Sequence, residues 1–441
     1  MNKVPKEYQF KRKWFEYMGY KPHPGQEKMH YPTNPNASFF VNICGRRYGK
    51  TTAAYREAEF YAAQPNKKIW LVGLSYKKSR LMFREVYKNM VKGNPKDIVA
   101  ASEKEQYIRF AWGSTVEGMS ADNPSSLLGE GLDLVIIDEA SRMPRKIWDM
   151  YLSPTLSDKK GKAIFITTPN GYNWIYDLYL LGKSDPKWFS TSSPSWDNYF
   201  AFPNGEEDEF LLERKRNLSK EIFDQEYGAK FASFQGKVYP FDRNIDVKNI
   251  GYQSHLPTYC TVDFGYRMPA VLFLQTYRNN GVWYINIIDE IIHKKNVPTE
   301  QLANMILEKN YPVVHYYGDP AGYNVQGQTG MGDIEIFKKC GINVRFRTDK
   351  ASRNIASSVS YVRGFFESAS GERKITVSKS CPGIMEDFEN YRYPEEVEGK
   401  ILSNDPVKDG YYEHGCDAFR YFITNRFPMV SNELIRIARW Y

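Results

Sequence analysis

The run Cys44-Gly45-Arg46-Arg47-Tyr48-Gly49-Lys50-Thr51-Thr52 follows an apolar stretch and opens a helix-patterned one, TTAAYREAEFYAA. A turn in that setting points its backbone N–H groups and a helix N-terminus at an anion, as a phosphate loop does. Lys50 would reach β- and γ-phosphates, and the Thr51 hydroxyl would ligate Mg²⁺. The spacing departs from the usual pattern at one place. Glycine is expected six residues before the lysine, and Cys44 stands there. The complement is LDLVIIDEA (132–140), where an apolar strand ends in two carboxylates. Asp138 then sits at the strand's carboxyl edge, where open α/β sheets bind ligands. It would hold Mg²⁺ through water while Glu139 orients and deprotonates the attacking water.

Three smaller features fit the same chemistry. Thr167 and Thr168 end the next strand in TTPNG, where hydroxyls could sense a γ-phosphate; a plain turn is the other reading. Gln26, in Pro24-Gly25-Gln26, could pair its amide with an adenine edge. Arg46 and Arg47 could neutralise charge in a transition state, or one of them could be surface.

The second half of the chain holds acids where apolar strands should not want them. Asp263 follows TYCTV, and Asp319 follows VVHYYG. A buried carboxylate is costly unless paired or metal-bound. His414 and Asp417 in YYEHGCDAFRYFI share one helix face, and Asp417 lies among Phe419, Tyr421 and Phe422. Acids on separate strands plus one on a late helix suggest two Mg²⁺ or Mn²⁺ ions that activate water for phosphodiester cleavage. Singly, each acid also reads as a cap or a strand-end residue. Asp289 and Glu290 read as a solvated strand end, and Asp405 and Asp409 as a polar loop.

The elements that must position these residues fall into two blocks. In the first, SFFVNIC (38–44), KKIWLVGL (67–74), LDLVIIDE (132–139) and KAIFITT (162–168) read as strands separated by helical segments. That alternation implies a parallel sheet. Residues 172–235 read as mostly helical, and 231–244 as a connector. The second block opens near 257 with three β-rich runs, TYCTVDFG, AVLFLQTY and VWYINIIDEII, the turn RNNG preceding the third, and closes with a helix near 412–426. The expected division is 1–235 for the first domain, with a lid-like segment at 172–235, a connector at 236–255, a second domain at 256–430 and a tail at 431–441.

Composition bounds the class. The chain has 441 residues, 42% of them hydrophobic and 25% charged, and a net charge of +8. This is globular rather than disordered, and only weakly suggestive of a polyanionic partner. No run of apolar residues is long enough to span a bilayer, and the basic, aromatic N-terminus lacks the apolar core of a secretory signal. Five scattered cysteines without a CxxC pair support neither a zinc knuckle nor a disulfide framework, and a reducing cytoplasm is the expected setting.

The order of these parts resembles the large terminase subunit of tailed bacteriophages, over roughly residues 20–427. NICGRRYGKTT, LDLVIIDEA and ITTPNG are similar to that family's ATPase motifs. Phe223, Gln225, Glu226, Tyr227 and Phe231, then Gly236 and Tyr239, resemble the stretch that closes its ATPase half. Such subunits often carry this shortened phosphate loop, which accounts for Cys44. The resemblance places Arg46 as an arginine finger in cis and Gln26 in the adenine-binding segment. The ATP-binding set is then Gln26, Gly45, Arg46, Arg47, Tyr48, Gly49, Lys50, Thr51, Thr52 and Asp138, with Glu139 catalytic and Thr167 and Thr168 coupling. Asp263, Asp319, His414 and Asp417 match the metal ligands of the family's RNase H-like endonuclease, with Asp263, Asp319 and Asp417 catalytic. CPGIMEDFENYRY, around Cys381, resembles another of its helices. Glu413 stands where the family usually has Asp.

The resemblance implies an α/β chain, a P-loop (RecA-like) ATPase domain followed by an RNase H-like nuclease domain. It implies a motor that uses ATP and Mg²⁺ to drive double-stranded DNA into a procapsid, and two Mg²⁺ or Mn²⁺ ions to cut concatemers. The implied partners are a small terminase subunit, a portal protein and further copies of the chain in a ring, usually five, with no membrane. The implied location is the host cytoplasm, transiently at the portal vertex and not in the mature virion. Three other classes compete. An ATP-dependent helicase or remodeller should show a second RecA-like half; a recombinase or resolvase would make the phosphate loop coincidental; a structural capsid protein would leave Lys50 and Asp263 dispensable.

Overall fold

The computed structural model describes residues 5–91, 95–231, 236–264, 267–319, 322, 332–349, 354–394 and 405–428. The tail expected at 431–441 lies outside them. The chain forms two compact units, Met1–Leu212 with Phe223–Ser233, and Glu213–Ile222 with Phe234–Tyr441. The short segment 213–222 therefore belongs with the second unit, as does the expected connector at 236–255, where Val238, Tyr239 and Phe241 are core residues.

The first unit is built on an eight-stranded sheet of order β3-β4-β5-β2-β6-β7-β1-β8. Its central strands are β1 (Phe39–Cys44), β2 (Lys68–Gly73), β6 (Leu134–Asp138) and β7 (Lys162–Thr167), matching the four runs read from sequence. They are parallel, β1 lying between β7 and β8 (Trp188–Ser193). Successive residues pack on opposite faces. Phe40, Cys44, Ile69, Leu71, Leu134 and Ile136 join one core, and Val41, Ile43, Trp70, Val72, Val135 and Ile137 the other. Both faces are apolar because both are covered, as parallel sheets require. Two features escaped the sequence reading. β8 lies inside the stretch read as helical, and β3 (Ile98–Ser102), β4 (Tyr107–Phe110) and β5 (Thr115–Ser120) extend the sheet, β4 antiparallel to both neighbours. The run WFSTSS carries few apolar residues, and β8 is an edge strand with half-exposed positions, so the hydrophobic pattern is weak there.

The second unit is a seven-stranded sheet of order β14-β13-β10-β11-β12-β15-β9, in which β14 is Val344–Arg345, β15 is Ile375–Ser378 and β9 is Val247–Lys248. β10 (Thr258–Asp263), β11 (Ala270–Asn279) and β12 (Val282–Ile291) form an antiparallel meander, the turn at RNNG joining the last two. β13 (Val313–Tyr317) then runs parallel to β10. On one face Leu272, Leu274, Ile285 and Ile287 pack with residues of three helices, 355–366, 382–390 and 413–426. On the other, Cys260, Val262, Phe273 and Ile288 pack with helices 299–308 and 333–339. The segment 213–222 docks within this unit. Arg363 Nη2 donates to Glu221 at 2.8 Å, and Lys374 Nζ to the Arg216 carbonyl at 2.7 Å.

Candidate functional site

Gly45 to Gly49 link β1 to helix Lys50–Ala62, with Arg47 at φ 64° and Gly49 at φ 95°, the left-handed turns of an anion cradle. Cys44 is the last residue of β1. It is fully buried, and burial pushes its thiol up to about 12, so it packs and does no chemistry. The glycine that cannot change is the next one. A Cβ on Gly45 would fall 2.4 Å from both Ser195 Oγ and the Tyr227 carbonyl.

The cradle is held from two sides. After β8, the Ser195 hydroxyl donates to the Arg46 carbonyl at 2.7 Å, and Asn198 Nδ2 to the Arg47 carbonyl at 2.8 Å. From helix Pro24–His30, Gln26 Nε2 donates to the Gly49 carbonyl at 3.0 Å, while Gln26 Oε1 accepts from His23 N–H at 3.2 Å. His23 Nε2 meets the Tyr48 carbonyl at 2.8 Å. Gln26 thus bears on the loop itself and is 4% exposed. His23, Ser195 and Asn198 were not legible as site residues; their only sequence signal is proximity to the Pro-Gly-Gln segment and to a strand end.

Lys50 Nζ donates to the Thr168 hydroxyl at 3.3 Å and stands 3.9 Å from Glu139 Oε1. Asp138 ends β6, and burial, then the neighbouring Glu139, push its carboxyl up to about 6. Glu139 takes the left-handed conformation, φ 54° and ψ 41°, which lifts its side chain off the strand line. Thr167 and Thr168 diverge. Thr168 faces Lys50, whereas the Thr167 hydroxyl meets Ser141 Oγ at 2.7 Å and accepts from Ser141 N–H at 3.2 Å. Beyond them, Gly171 N–H donates to Gln225 Oε1 at 3.0 Å. Arg46 pairs with the Glu226 carboxylate. Thr51 and Thr52, in the first turn of the helix, are half-buried. Thr51 and Asp138 are oxygen donors at a crowded, buried carboxylate, and so fit Mg²⁺.

In the second unit, Asp263 ends β10, and Asp319 follows β13, its parallel neighbour. Helix 413–426 is fixed to β10 by the Thr261 hydroxyl, which donates to the Ala418 carbonyl at 2.7 Å. That brings His414 Nδ1 within 2.9 Å of Asp263 Oδ2, and lets the Tyr421 hydroxyl donate to Asp319 Oδ2 at 2.8 Å. Burial, and then the carboxylates of Asp263, Asp417 and Asp319 among others, push the Tyr421 phenol up. One helix thus carries Asp417 and contacts both strand-end acids, Asp263 through His414 and Asp319 through Tyr421. Asp417 is paired, contrary to its appearance in sequence. Arg420, one turn on and 4% exposed, binds it at 2.9 Å. The i,i+3 spacing was the available signal.

Burial, with a contribution from Asp417, pushes the Asp263 carboxyl up to about 6 even against its bond to His414. Such crowded, buried oxygen donors suit Mg²⁺ or Mn²⁺. Among the described residues, no three His, Cys, Asp or Glu side chains stand together at metal-ligand spacing, so cation binding requires these side chains to draw in. The other acids are structural. Glu290 caps helix 382–390 through Gly383 and Ile384 N–H at 2.7 and 2.8 Å, and Asp289 pairs with Lys309 at 2.8 Å. Asp409 accepts from Tyr411 and Tyr412 N–H, and Glu413 from Gly410 and Tyr411 N–H.

A phosphate loop on a parallel sheet, with the acid pair two strands away, defines a P-loop fold of the RecA-like class; the second unit is a mixed α/β fold with helices on both faces of its sheet. A family profile described as "Terminase large subunit, T4likevirus-type, N-terminal" matches residues 43–244. The large terminase subunit of Escherichia phage T5 is 27% identical over 401 residues, covering 87% of this chain and 86% of that protein. That of Thermus virus P23-45 is 32% identical over 262 residues, 52% of each chain. The large terminase of a thermophilic bacteriophage, solved with ATP-γ-S, superposes with TM-score 0.58 at 17% identity, over 91% of this chain and 98% of that one. The chain is therefore similar to phage large terminase subunits over most of its length. No described helix is long and apolar enough to cross a membrane.

Proposed function

We propose that this chain is the ATP-hydrolysing and DNA-cutting subunit of a phage packaging motor. The observation that carries the reading is the meeting of Lys50, Thr168 and Glu139 at the mouth of the loop closed by Gly45 and Gly49. The loop's N–H groups cradle the phosphates, and Lys50 moves from Thr168 and Glu139 onto the β- and γ-oxygens. Mg²⁺, held by Thr51 and Asp138, would neutralise charge developing on the phosphates. Glu139 orients the attacking water and takes its proton. Arg46, in the same loop, would serve the leaving phosphate once released from Glu226. Departure of the γ-phosphate frees Lys50 and Thr168, and the bond from Gly171 to Gln225 carries that change to residues 223–231.

In the second unit, Asp263, Asp319 and Asp417 would hold Mg²⁺ or Mn²⁺, which supply a metal-activated water for phosphodiester cleavage. His414 orients Asp263, and Arg420 holds Asp417 until the site fills. Homology to the phage T5 subunit supports the wider reading. Hydrolysis drives double-stranded DNA into a procapsid through a portal protein, DNA arrives from a small terminase subunit, and copies of the chain act as a ring, a pentamer by the family resemblance. The work is done in the host cytoplasm and at the portal vertex.

The test uses the full chain with supercoiled plasmid and Mn²⁺, without ATP, beside Asp263→Ala, and a parallel ATP hydrolysis assay beside Lys50→Ala. Nicking and linearisation lost only in Asp263→Ala, with hydrolysis lost only in Lys50→Ala, is the expected result. Undiminished cutting by Asp263→Ala would remove the nuclease from the reading, and turnover by Lys50→Ala would remove the ATPase.

A further inference from the structure

The loop that follows β8 does more than brace the phosphate cradle. Ser195 and Asn198 bind the Arg46 and Arg47 carbonyls, and Gly45 N–H donates to the Ser193 carbonyl at 3.0 Å, so the loop is tied down over its length. Directly after Asn198 come two aromatic rings that this anchoring leaves uncovered. Tyr199 is 43% exposed and Phe200 61% exposed, with ring centroids 4.3 Å apart. Exposed aromatics occur elsewhere on the chain, but these two rings pack on each other and are held beside the phosphate loop. Tyr199 stands beside the cradle. Its centroid is 6.4 Å from the His23 ring, whose Nε2 meets the Tyr48 carbonyl of the loop.

Resting on the proposed ATP site, we infer that Tyr199 is the stacking platform for the nucleobase of the bound nucleotide, with Phe200 backing it. The occupant follows from continuity. A ligand whose phosphates lie on Gly45–Thr51 has its base only a ribose away, and this ring is rigidly attached to the same loop through Asn198. An aromatic face accepts any base by stacking, without hydrogen-bond readout. The platform therefore supplies affinity, while discrimination falls to edge-on groups such as the second amide hydrogen of Gln26, whose first is engaged by the Gly49 carbonyl. Burial lowers the pKa of His23, so it is the neutral ring that flanks the platform.

Calorimetric titration of the full chain with MgADP tests this in wild type, Tyr199→Ala, Tyr199→Phe and Lys50→Ala. Tyr199→Ala is expected to weaken ADP about tenfold, ~1.4 kcal/mol, and Tyr199→Phe to bind within about twofold of wild type, because the face and not the hydroxyl makes the contact. Tyr199→Leu, with similar bulk and no π face, replaces the alanine variant if that one melts earlier than wild type. Wild-type affinity in the Ala and Leu variants would overturn the inference, as would a Phe variant as weak as Ala. Retention of ADP by Lys50→Ala would instead sink the ATP-site reading on which it rests.

Discussion

The guanidinium of Arg46 is paired with the Glu226 carboxylate, and the Arg46 N–H donates to the Glu226 carbonyl at 2.7 Å. An arginine in a phosphate loop is thus held, side chain and backbone, by a residue 180 positions on. The pair ties the cradle to residues 223–231 of the same unit. It also occupies the guanidinium that the proposed mechanism needs at the phosphates. Glu226→Gln should release Arg46 and raise basal ATP turnover severalfold. Arg46→Ala should lower turnover by about 10²-fold, the scale for losing one preorganised donor. The double variant should match Arg46→Ala alone. Steady-state hydrolysis on the three proteins checks this, and a Glu226→Gln as slow as Arg46→Ala would mean that the pair works as one unit.

Glu139 adopts a left-handed backbone that a non-glycine residue takes at a cost of about 1–3 kcal/mol. The surrounding structure holds it there, with Glu139 N–H donating to Asp138 Oδ1 at 3.0 Å. Glu139→Gln keeps shape and backbone but cannot take a proton. Turnover should fall by about 10²–10⁴-fold, with ADP affinity unchanged by calorimetry. Measurable single-turnover hydrolysis at the wild-type rate would remove Glu139 from the base role.

The parts legible in the sequence are those where one local rule suffices. Four apolar runs gave the central strands, Gly45–Thr51 lay between a strand and a helix, and Asp138 and Glu139 followed four buried apolar residues. What escaped depends on partners far along the chain. Thr167 reads like Thr168, yet packing turns it to Ser141. β8 carries Ser and Thr because it is an edge strand, so its burial pattern is too weak to announce a strand. Arg420 was readable by helical spacing, but its burial against Ser358 of another helix was not. No local pattern marks Asn198 as the tie between a loop and the phosphate cradle.

Arg420 is buried with Asp417 and also donates to Ser358 Oγ at 3.3 Å. Removing one partner of such a pair leaves an uncompensated charge, which costs about 3–5 kcal/mol. Arg420→Leu should therefore lower the stability of the second unit by roughly 3 kcal/mol. Adding Asp417→Asn should recover more than half of that loss, since the two changes are coupled through one contact. Urea unfolding followed by near-ultraviolet circular dichroism reads the difference. Additive losses in the double variant would show that Arg420 acts through its packing alone.

Asp387 is fully buried on helix 382–390, its Oδ1 2.8 Å from His293 Nε2 and its Oδ2 accepting from Gly415 N–H at 3.2 Å. Burial pushes its carboxyl up to about 9, and the same effect lowers the pKa of His293. The pair is then a neutral acid donating to a neutral imidazole at pH 7. Its folded pKa lies above the unfolded value of about 3.9. The stabilisation is complete below that value and is lost as pH rises through about 9. Between the two, the folded chain keeps a proton that the unfolded chain releases, so this group alone lowers stability by about 1.4 kcal/mol per pH unit. Asp387→Asn keeps the hydrogen-bonding shape without the proton. Its melting temperature should fall less than that of wild type between pH 6 and pH 8. Parallel slopes for the two proteins would mean that Asp387 is ionised when folded.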